Sequence, residues 1–379
     1  MEFVIQKSDL VRELQTVTGV VEKRATIPIL ANLLLEVDSN GLQVGASDME
    51  VTIRGTAEAT AVKDGSVTLP ASKLHEIARS LPDAEVKFKL LDRNVVAISC
   101  ERTRYKISGQ PRGEFPGFPE IDEKAGISIP GKQLNQMIER VAFAITREDP
   151  RYSLNGALFL IENGKLTLVA TDGHRLAYIQ SEVEIDLGSQ GSQSVIVPRK
   201  ALSEVSKLTS ELDDNETVLF GKSDNQVFFV VRGHKLTTSL LEGNFPRYEN
   251  VMPKKSNTSV LVPTEELHQA VRRVSLLASD RYGRVVKLAL SDGKLDLSSK
   301  TEMGEAQETL NVDYSGAEMS IGFNARYLQD FLTVVGSPAV KLELNAGSGE
   351  DAGDKPGQFR PEPSEGSIDY RYIVMPMHL

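Results

Sequence analysis

One unit of pattern recurs along this chain: an alternating apolar strand, closed at a proline in four of its six instances, runs directly into an amphipathic helix. Val67-Thr-Leu69-Pro70 runs into Leu74, Ile77, Ala78 and Leu81. Ile127-Ser-Ile129-Pro130 runs into Leu134, Met137, Ile138 and Val141, and Val195-Ile-Val197-Pro198 into Leu202, Val205 and Leu208. Val260-Leu-Val262-Pro263 leads to Leu267, Val271 and Val274. Phe3-Val-Ile5 before Leu10, Leu14 and Val17, and Met319-Ser-Ile-Gly-Phe323 before Tyr327, Leu328 and Phe331, complete the series. The strands read at period two and the helices at 3.6. The turns at Asn40-Gly41, Asn163-Gly164 and Asp292-Gly293 follow alternate helices, and Leu10, Leu134 and Leu267 stand roughly 125–130 residues apart. Periodicity on that scale predicts a duplicated α+β architecture in which each copy buries its own core. Three units of 1–125, 126–254 and 255–379 are expected, each itself doubled, with polar linkers over 121–126 and 253–258. Residues 346–367, rich in Gly, Pro, Asp and Glu, break the plan and predict a mobile surface loop, with Gln358-Phe-Arg360 as a short strand inside it.

A formal charge of −10 argues against a generally basic nucleic-acid surface, but it permits a local basic face. Each helix carries such residues among acidic ones: Arg12, Lys73, Arg79, Lys132, Arg140, Lys200, Lys207, Arg272, Arg273 and Arg326. A lone cysteine, Cys100, forbids an intrachain disulfide and suits a reducing compartment. No apolar run approaches the ~20 residues of a membrane span, and the N-terminus enters a strand without a signal-like segment. A cytoplasmic protein without a membrane partner is expected.

The chemically richest stretch is Val169-Ala-Thr-Asp-Gly-His-Arg-Leu-Ala177, where Asp172-Gly173 bends the chain between two alternating apolar runs. Val44-Gly-Ala-Ser-Asp48-Met-Glu-Val51 matches it in position, and Leu295–Glu302 does so more weakly. One reading is a hairpin corner held by its polar residues. Another is an acid–base pair, Asp172 and His174, with Arg175 as an anion clamp in a hydrolase or transferase. Against the second stand the missing nucleophile motif, Gly-rich phosphate loop and metal-spaced His/Cys cluster. His75, His234, His268 and His378 are scattered. No catalytic residue, metal or cofactor is expected.

Thr26–Leu35, Arg151-Tyr-Ser-Leu-Asn-Gly156, Ala170–Ala177, Val195–Lys200, Tyr314–Met319 and the tail Val374-Met-Pro-Met377, in this order and spacing, resemble the bacterial DNA polymerase III beta subunit, the replicative sliding-clamp family. The likeness runs from Phe3 to Leu379 apart from the stretch after Asn345. The resemblance implies a non-enzymatic processivity factor. Two chains, head to tail, would form a ring with sheets outside and helices lining a hole for duplex DNA. Implied partners are the polymerase III catalytic subunit, the clamp loader and other proteins carrying short clamp-binding peptides. It also implies a peptide pocket of Arg151, Leu154, Thr171, Gly173, His174, Arg175, Leu176, Pro246, Val251, Met375, Pro376, Met377 and Leu379. DNA contacts are implied at Arg24, Arg147, Glu148 and Lys200. Arg102, Arg104 and Tyr105 would face Leu276, Leu277, Glu302, Glu305 and Glu308 across the dimer joint. His378 and Glu148 depart from the residues usual at their places. A plain peptide-binding scaffold without DNA affinity remains an alternative.

Overall fold

The structure, a computed structural model, describes residues 1–22, 26–146, 149–185, 187, 191–223, 225–278, 284–345, 355–363, 366 and 368–377. The first repeat runs β1 (Glu2–Gln6), α1 (Lys7–Val17), β2 (Asn32–Asp38), β3 (Gly41–Ser47), β4 (Val51–Ala57), β5 (Thr60–Lys63), β6 (Gly65–Pro70), α2 (Ala71–Ser80), β7 (Glu85–Leu90), β8 (Val95–Cys100) and β9 (Thr103–Ser108). The second runs β10 (Ile127–Pro130), α3 (Gly131–Ala142), β11 (Gly156–Glu162), β12 (Lys165–Thr171), β13 (Arg175–Glu182), β14 (Gln193–Pro198), α4 (Arg199–Thr209), β15 (Thr217–Ser223), β16 (Gln226–Val231) and β17 (His234–Ser239). The third repeats that order: β18 (Thr258–Pro263), α5 (Thr264–Val274), β19 (Val285–Ser291), β20 (Lys294–Thr301), β21 (Gly304–Asn311), β22 (Met319–Asn324), α6 (Ala325–Val334), β23 (Ala339–Leu344), β24 (Gly357–Glu362) and β25 (Asp369–Val374).

Each strand that leads into a helix ends at the corner the sequence marks. Pro70, Pro130, Pro198 and Pro263 are the last residues of β6, β10, β14 and β18. A proline there has no N–H to offer a ladder and fixes φ for the turn into the helix. At the sixth corner Asn324 takes over, its Oδ1 accepting from the Arg326 and Tyr327 amides as a helix cap. In α1 the apolar stripe Leu10, Leu14 and Val17 is fully buried, as in α5 are Leu267, Ala270 and Val271 or nearly so.

Strand order shows how halves and repeats are joined. Within each repeat the strand leading into one helix pairs with the three-stranded meander following the other, so the halves interlock: β6 with β2, β1 with β7, β14 with β11, β10 with β15. Between repeats, the last strand of one meander pairs antiparallel with the last strand of another. β4 pairs with β17 through Ile53↔Leu236, and β13 with β25 through Ala177↔Tyr372. The result is two 8-stranded sheets, β10-β15-β16-β17-β4-β3-β2-β6 and β14-β11-β12-β13-β25-β24-β23-β18. A 5-stranded sheet ends in β9 and a 4-stranded sheet in β21. These two are the meander-final strands with no partner from another repeat among the described residues.

The chain divides into two compact units. Residues 1–135 with 200–240 carry the sheets holding β9 and β17; residues 136–199 with 241–379 carry those holding β21 and β25. The short strand expected at Gln358-Phe-Arg360 within 346–367 is present as β24, longer at both ends, which lies between β23 and β25 and buries Phe359 and Gln358. Its flanking Gly, Pro and acidic residues suggested disorder, but pairing on both edges overrides composition. Residues 346–354, 364–365 and 367 lie outside the described residues.

Candidate functional site

The bend at Asp172-Gly173 joins β12 to β13, and its side chains hold it. Asp172 Oδ1 accepts from the His174 and Arg175 amides at 2.9 and 3.0 Å, while Oδ2 accepts from Arg175 Nε at 2.9 Å. Thr171 Oγ1 accepts from the Gly173 amide and donates to the Arg175 carbonyl. Gly173 has φ +88°, a left-handed conformation that a glycine adopts without steric cost. The hairpin-corner reading is therefore the one realised. Asp172 is spent on the turn and on Arg175.

Beside this corner lies a cavity of about 170 Å³ lined by Arg151, Leu154, Thr171, Gly173, His174, Arg175, Leu176, Pro246, Arg247, Tyr248, Val251, Ile373 and Met375. Its floor is apolar: Leu158, Val169, Leu176, Tyr178, Ile196 and Ile373 form one cluster, with Leu241, Phe245, Tyr248 and Met252 packed against it. At the rim Tyr152, Val251 and Met375 stay exposed to water. Large apolar side chains around an apolar hollow with a few polar groups are the ordinary make-up of a recognition site. Pro376 and Met377 continue past the cavity; the Met377 amide donates to the Gly322 carbonyl at 2.8 Å. Leu379 lies outside the described residues. Arg247, Tyr248 and Ile373 were not anticipated. Ile373 pairs with Leu176 across β13–β25, and Arg247 and Tyr248 lie between the anticipated Pro246 and Val251, so neighbourhood was the available signal.

Charge around the cavity is mostly neutralised. Arg151 Nε and Nη2 grip Asp149 at 2.9 and 2.8 Å, and these bonds hold the Asp149 carboxyl down at about 2. Burial alone would lower the pKa of Arg175, but Tyr372, Asp330 and Asp172 together hold it above the usual arginine value. Burial, with Glu249 and Tyr178 adding, pushes the Tyr248 phenol up to about 12, so it stays a donor at neutral pH. Arg247 is exposed and has no ion-pair partner among the described residues.

The remaining anticipated residues fall as follows. Arg24, Arg147 and Glu148 lie outside the described residues. Lys200 Nζ is bound by the carboxylate of Asp48 and sits 3.6 Å from Glu22, so its charge is already countered. Arg140, expected on a solvated helix face, is instead buried, with its guanidinium over the Tyr370 ring at 5.6 Å. That ring rises from β25, a non-local packing partner that helix periodicity does not reveal. Arg102 and Arg104 are exposed and Tyr105 is half-buried on or beside edge strand β9. On the β21 side Glu302 and Glu305 are exposed, whereas Glu308 is held by Arg273 through two bonds of 2.9 and 2.6 Å. Leu276 is 77% exposed; Leu277 is half-buried near Gly304.

A chain of three such α+β repeats superposes on solved sliding clamps. The crystal structure of the Pseudomonas aeruginosa DNA polymerase III subunit beta superposes with a TM-score of 0.90 at 33% identity, covering 100% of both chains. The Bacillus subtilis sliding clamp gives 0.91 at 29% identity, covering 100% of this chain and 99% of that one. By sequence, the beta sliding clamp of Pseudomonas aeruginosa is 34% identical over 381 residues, again over 100% of both chains. Family models for the N-terminal, central and C-terminal domains of DNA polymerase III beta subunit match residues 1–119, 128–247 and 249–377. The chain belongs to the DNA polymerase III beta subunit family.

Proposed function

We propose that this protein is a DNA polymerase processivity clamp: two chains close head to tail into a ring around duplex DNA and tether the polymerase through the cavity beside Asp172-Gly173. The repeats would run 1–125, 126–254 and 255–379. The observation that carries the proposal is the strand pairing between repeats. Last strand meets last strand at β4–β17 and at β13–β25, leaving β9 and β21 as the same element with an open outer edge among the described residues. A second chain supplies the missing partner for each, through a heterologous contact made twice. Arg102, Arg104 and Lys106 at β9 and Glu302, Glu305 and Glu308 at β21 are of opposite sign, which favours that pairing over β9 with β9. Leu276 is free to pack at the same joint.

A ring holds DNA topologically, so it needs only weak phosphate contact, and strong contact would hinder sliding. Much of the helices' basic charge fits this, being countered within the chain: Arg12 by Asp9, Lys73 by Glu76, Lys132 by Asp214, Lys207 by Glu204. Arg24, Arg147 and Lys200 are the proposed DNA contacts, with Glu148 beside them. The cavity suits short peptides with apolar anchors from the polymerase catalytic subunit, the clamp loader and other partners. Met375 and Met377 are adaptable side chains for such ligands. The work is tethering, not turnover, and its setting is the cytoplasm. Among the described residues no helix is long and apolar enough to cross a membrane.

The test is retention. Loaded onto nicked circular DNA, the protein should stay on the circle through gel filtration and be released when the circle is cut. Equal retention on linear and circular DNA would overturn encirclement.

A further inference from the structure

Arg175 lines the cavity, yet its guanidinium is turned away and engaged on every side. Nε donates to Asp172 at 2.9 Å, Nη1 to Asp330 Oδ2 at 2.7 Å, and Nη2 to the Phe143 carbonyl at 2.6 Å. The Tyr327 ring lies 4.3 Å from its centre, and the side chain is only 8% exposed. Of the three acceptors, Phe143 offers main chain and Asp172 belongs to the corner itself. Asp330, on α6 of the third repeat, is the carboxylate that reaches Arg175 from another element, beside the Tyr372 side chain of β25, and it does not line the cavity. The β4–β17 join of the first and second repeats supplies a comparison. Counting from the matched helix residues Leu202 and Leu328, Glu204 stands where Asp330 stands, and Val51 stands where Arg175 stands. Glu204 binds Lys207 of its own helix instead. The cross-element pair thus belongs to the corner that carries the cavity.

We propose that Asp330 is a positioning residue for the peptide pocket: it holds the Arg175 guanidinium beneath the wall and so leaves the cavity to the apolar anchors of the partner. This rests on the peptide-pocket reading above. A guanidinium cannot shed its charge at any ordinary pH. Deprived of the half-buried Asp330 carboxylate, which is 28% exposed, it must find another acceptor or water. The cavity that Arg175 already borders is one space open to the freed head, and a flexible arginine can swing its head there. Stacking on Tyr327 retains some of the charge's stabilisation but offers no acceptor. A cation in the hollow would then meet apolar anchors and lose part of its hydration on their binding. Asp330 would thereby set what the pocket accepts without touching the ligand.

The experiment uses the full-length protein and a fluorescent peptide bearing a Gln followed by Leu and Phe anchors, titrated well below the melting temperature of each variant. Asp330→Asn should weaken binding about tenfold, while Asp330→Glu, which keeps the charge, should stay within about threefold of wild type. A second peptide with Phe replaced by Glu gives a readout that destabilisation alone would not move. Its disadvantage against the parent peptide should shrink in Asp330→Asn, because the freed cation is there to meet it. In the Arg175→Met background, adding Asp330→Asn should change affinity less than about twofold; this pair also decides the matter if Asp330→Asn alone melts too low to assay. Wild-type affinity and unchanged discrimination in folded Asp330→Asn would overturn the proposal. So would an undiminished loss from Asp330→Asn once Arg175 is gone. Val251→Asp separates the two layers: if it too binds the peptide normally, the pocket reading itself has failed.

Discussion

His234 Nε2 lies 3.0 Å from Glu13 Oε2, and the two side chains are 18% and 4% exposed. Gly55 makes the space for them, since a Cβ at that position would run into both Glu13 and the imidazole. Burial alone would lower the histidine pKa. The bond and charge of Glu13, with a bond to the Val231 main chain, outweigh it and raise the pKa above the ordinary 6.5; Arg12 opposes them. The folded state therefore favours the proton. The pair's contribution is complete below pH 6.5 and is lost as pH rises through the raised folded value. Melting temperatures of wild type and His234→Gln should differ most near pH 6, and the gap should narrow towards pH 9. A gap independent of pH would show that the ring matters for packing and not for charge. In sequence His234 is one of several scattered histidines. Its partner is 221 residues away, a separation that no local pattern bridges. Asp172 and Gly173 were legible because a turn is made by neighbours.

At the scale of elements, what could be read was whatever the chain repeats. The strand-to-helix corners, the Asn-Gly and Asp-Gly turns and the apolar faces of α1 to α6 all follow from local period and local sterics. What escaped was decided across elements: Arg140 covered by Tyr370, and Asp330 reaching over to Arg175. The tail shows the same division. The Met375 amide donates to the His174 carbonyl at 2.8 Å, extending the β13–β25 join to the cavity's edge, while Tyr370, Tyr372, Ile373 and Val374 are buried in the sheet and its core. Deleting Met375 through Leu379 should therefore abolish peptide binding and spare the fold. Peptide titration beside sedimentation on the truncated protein checks both. Retained affinity would mean the cavity is not the docking site, and loss of structure would mean that the tail supports the third repeat.

For the molecule as a whole, the unmatched edges β9 and β21 are the governing feature. The chain of 41.5 kDa should sediment as a species of about 83 kDa. Arg104→Glu, which places like charges on facing strands, should shift it towards monomer at micromolar concentration, and Glu305→Arg in the same chain should recover part of the loss. A wild-type monomer would refute the ring. Sequence period revealed the threefold plan and the doubling of each unit. It did not reveal which strand ends would be left over, because edge status depends on the pairing of every other strand.

The leftover edges differ from one another, and this has a genetic consequence under the proposed pairing. An allele damaged at β9 and one damaged at β21 each spoil both joints of their own homodimer. Together in one cell they can assemble a mixed pair in which one joint has two sound edges and the other has two damaged ones. Such alleles would complement for dimer formation but not for staying on DNA. A damaged allele expressed beside wild type would also draw sound chains into rings with one weak joint, making it dominant in proportion to its dose.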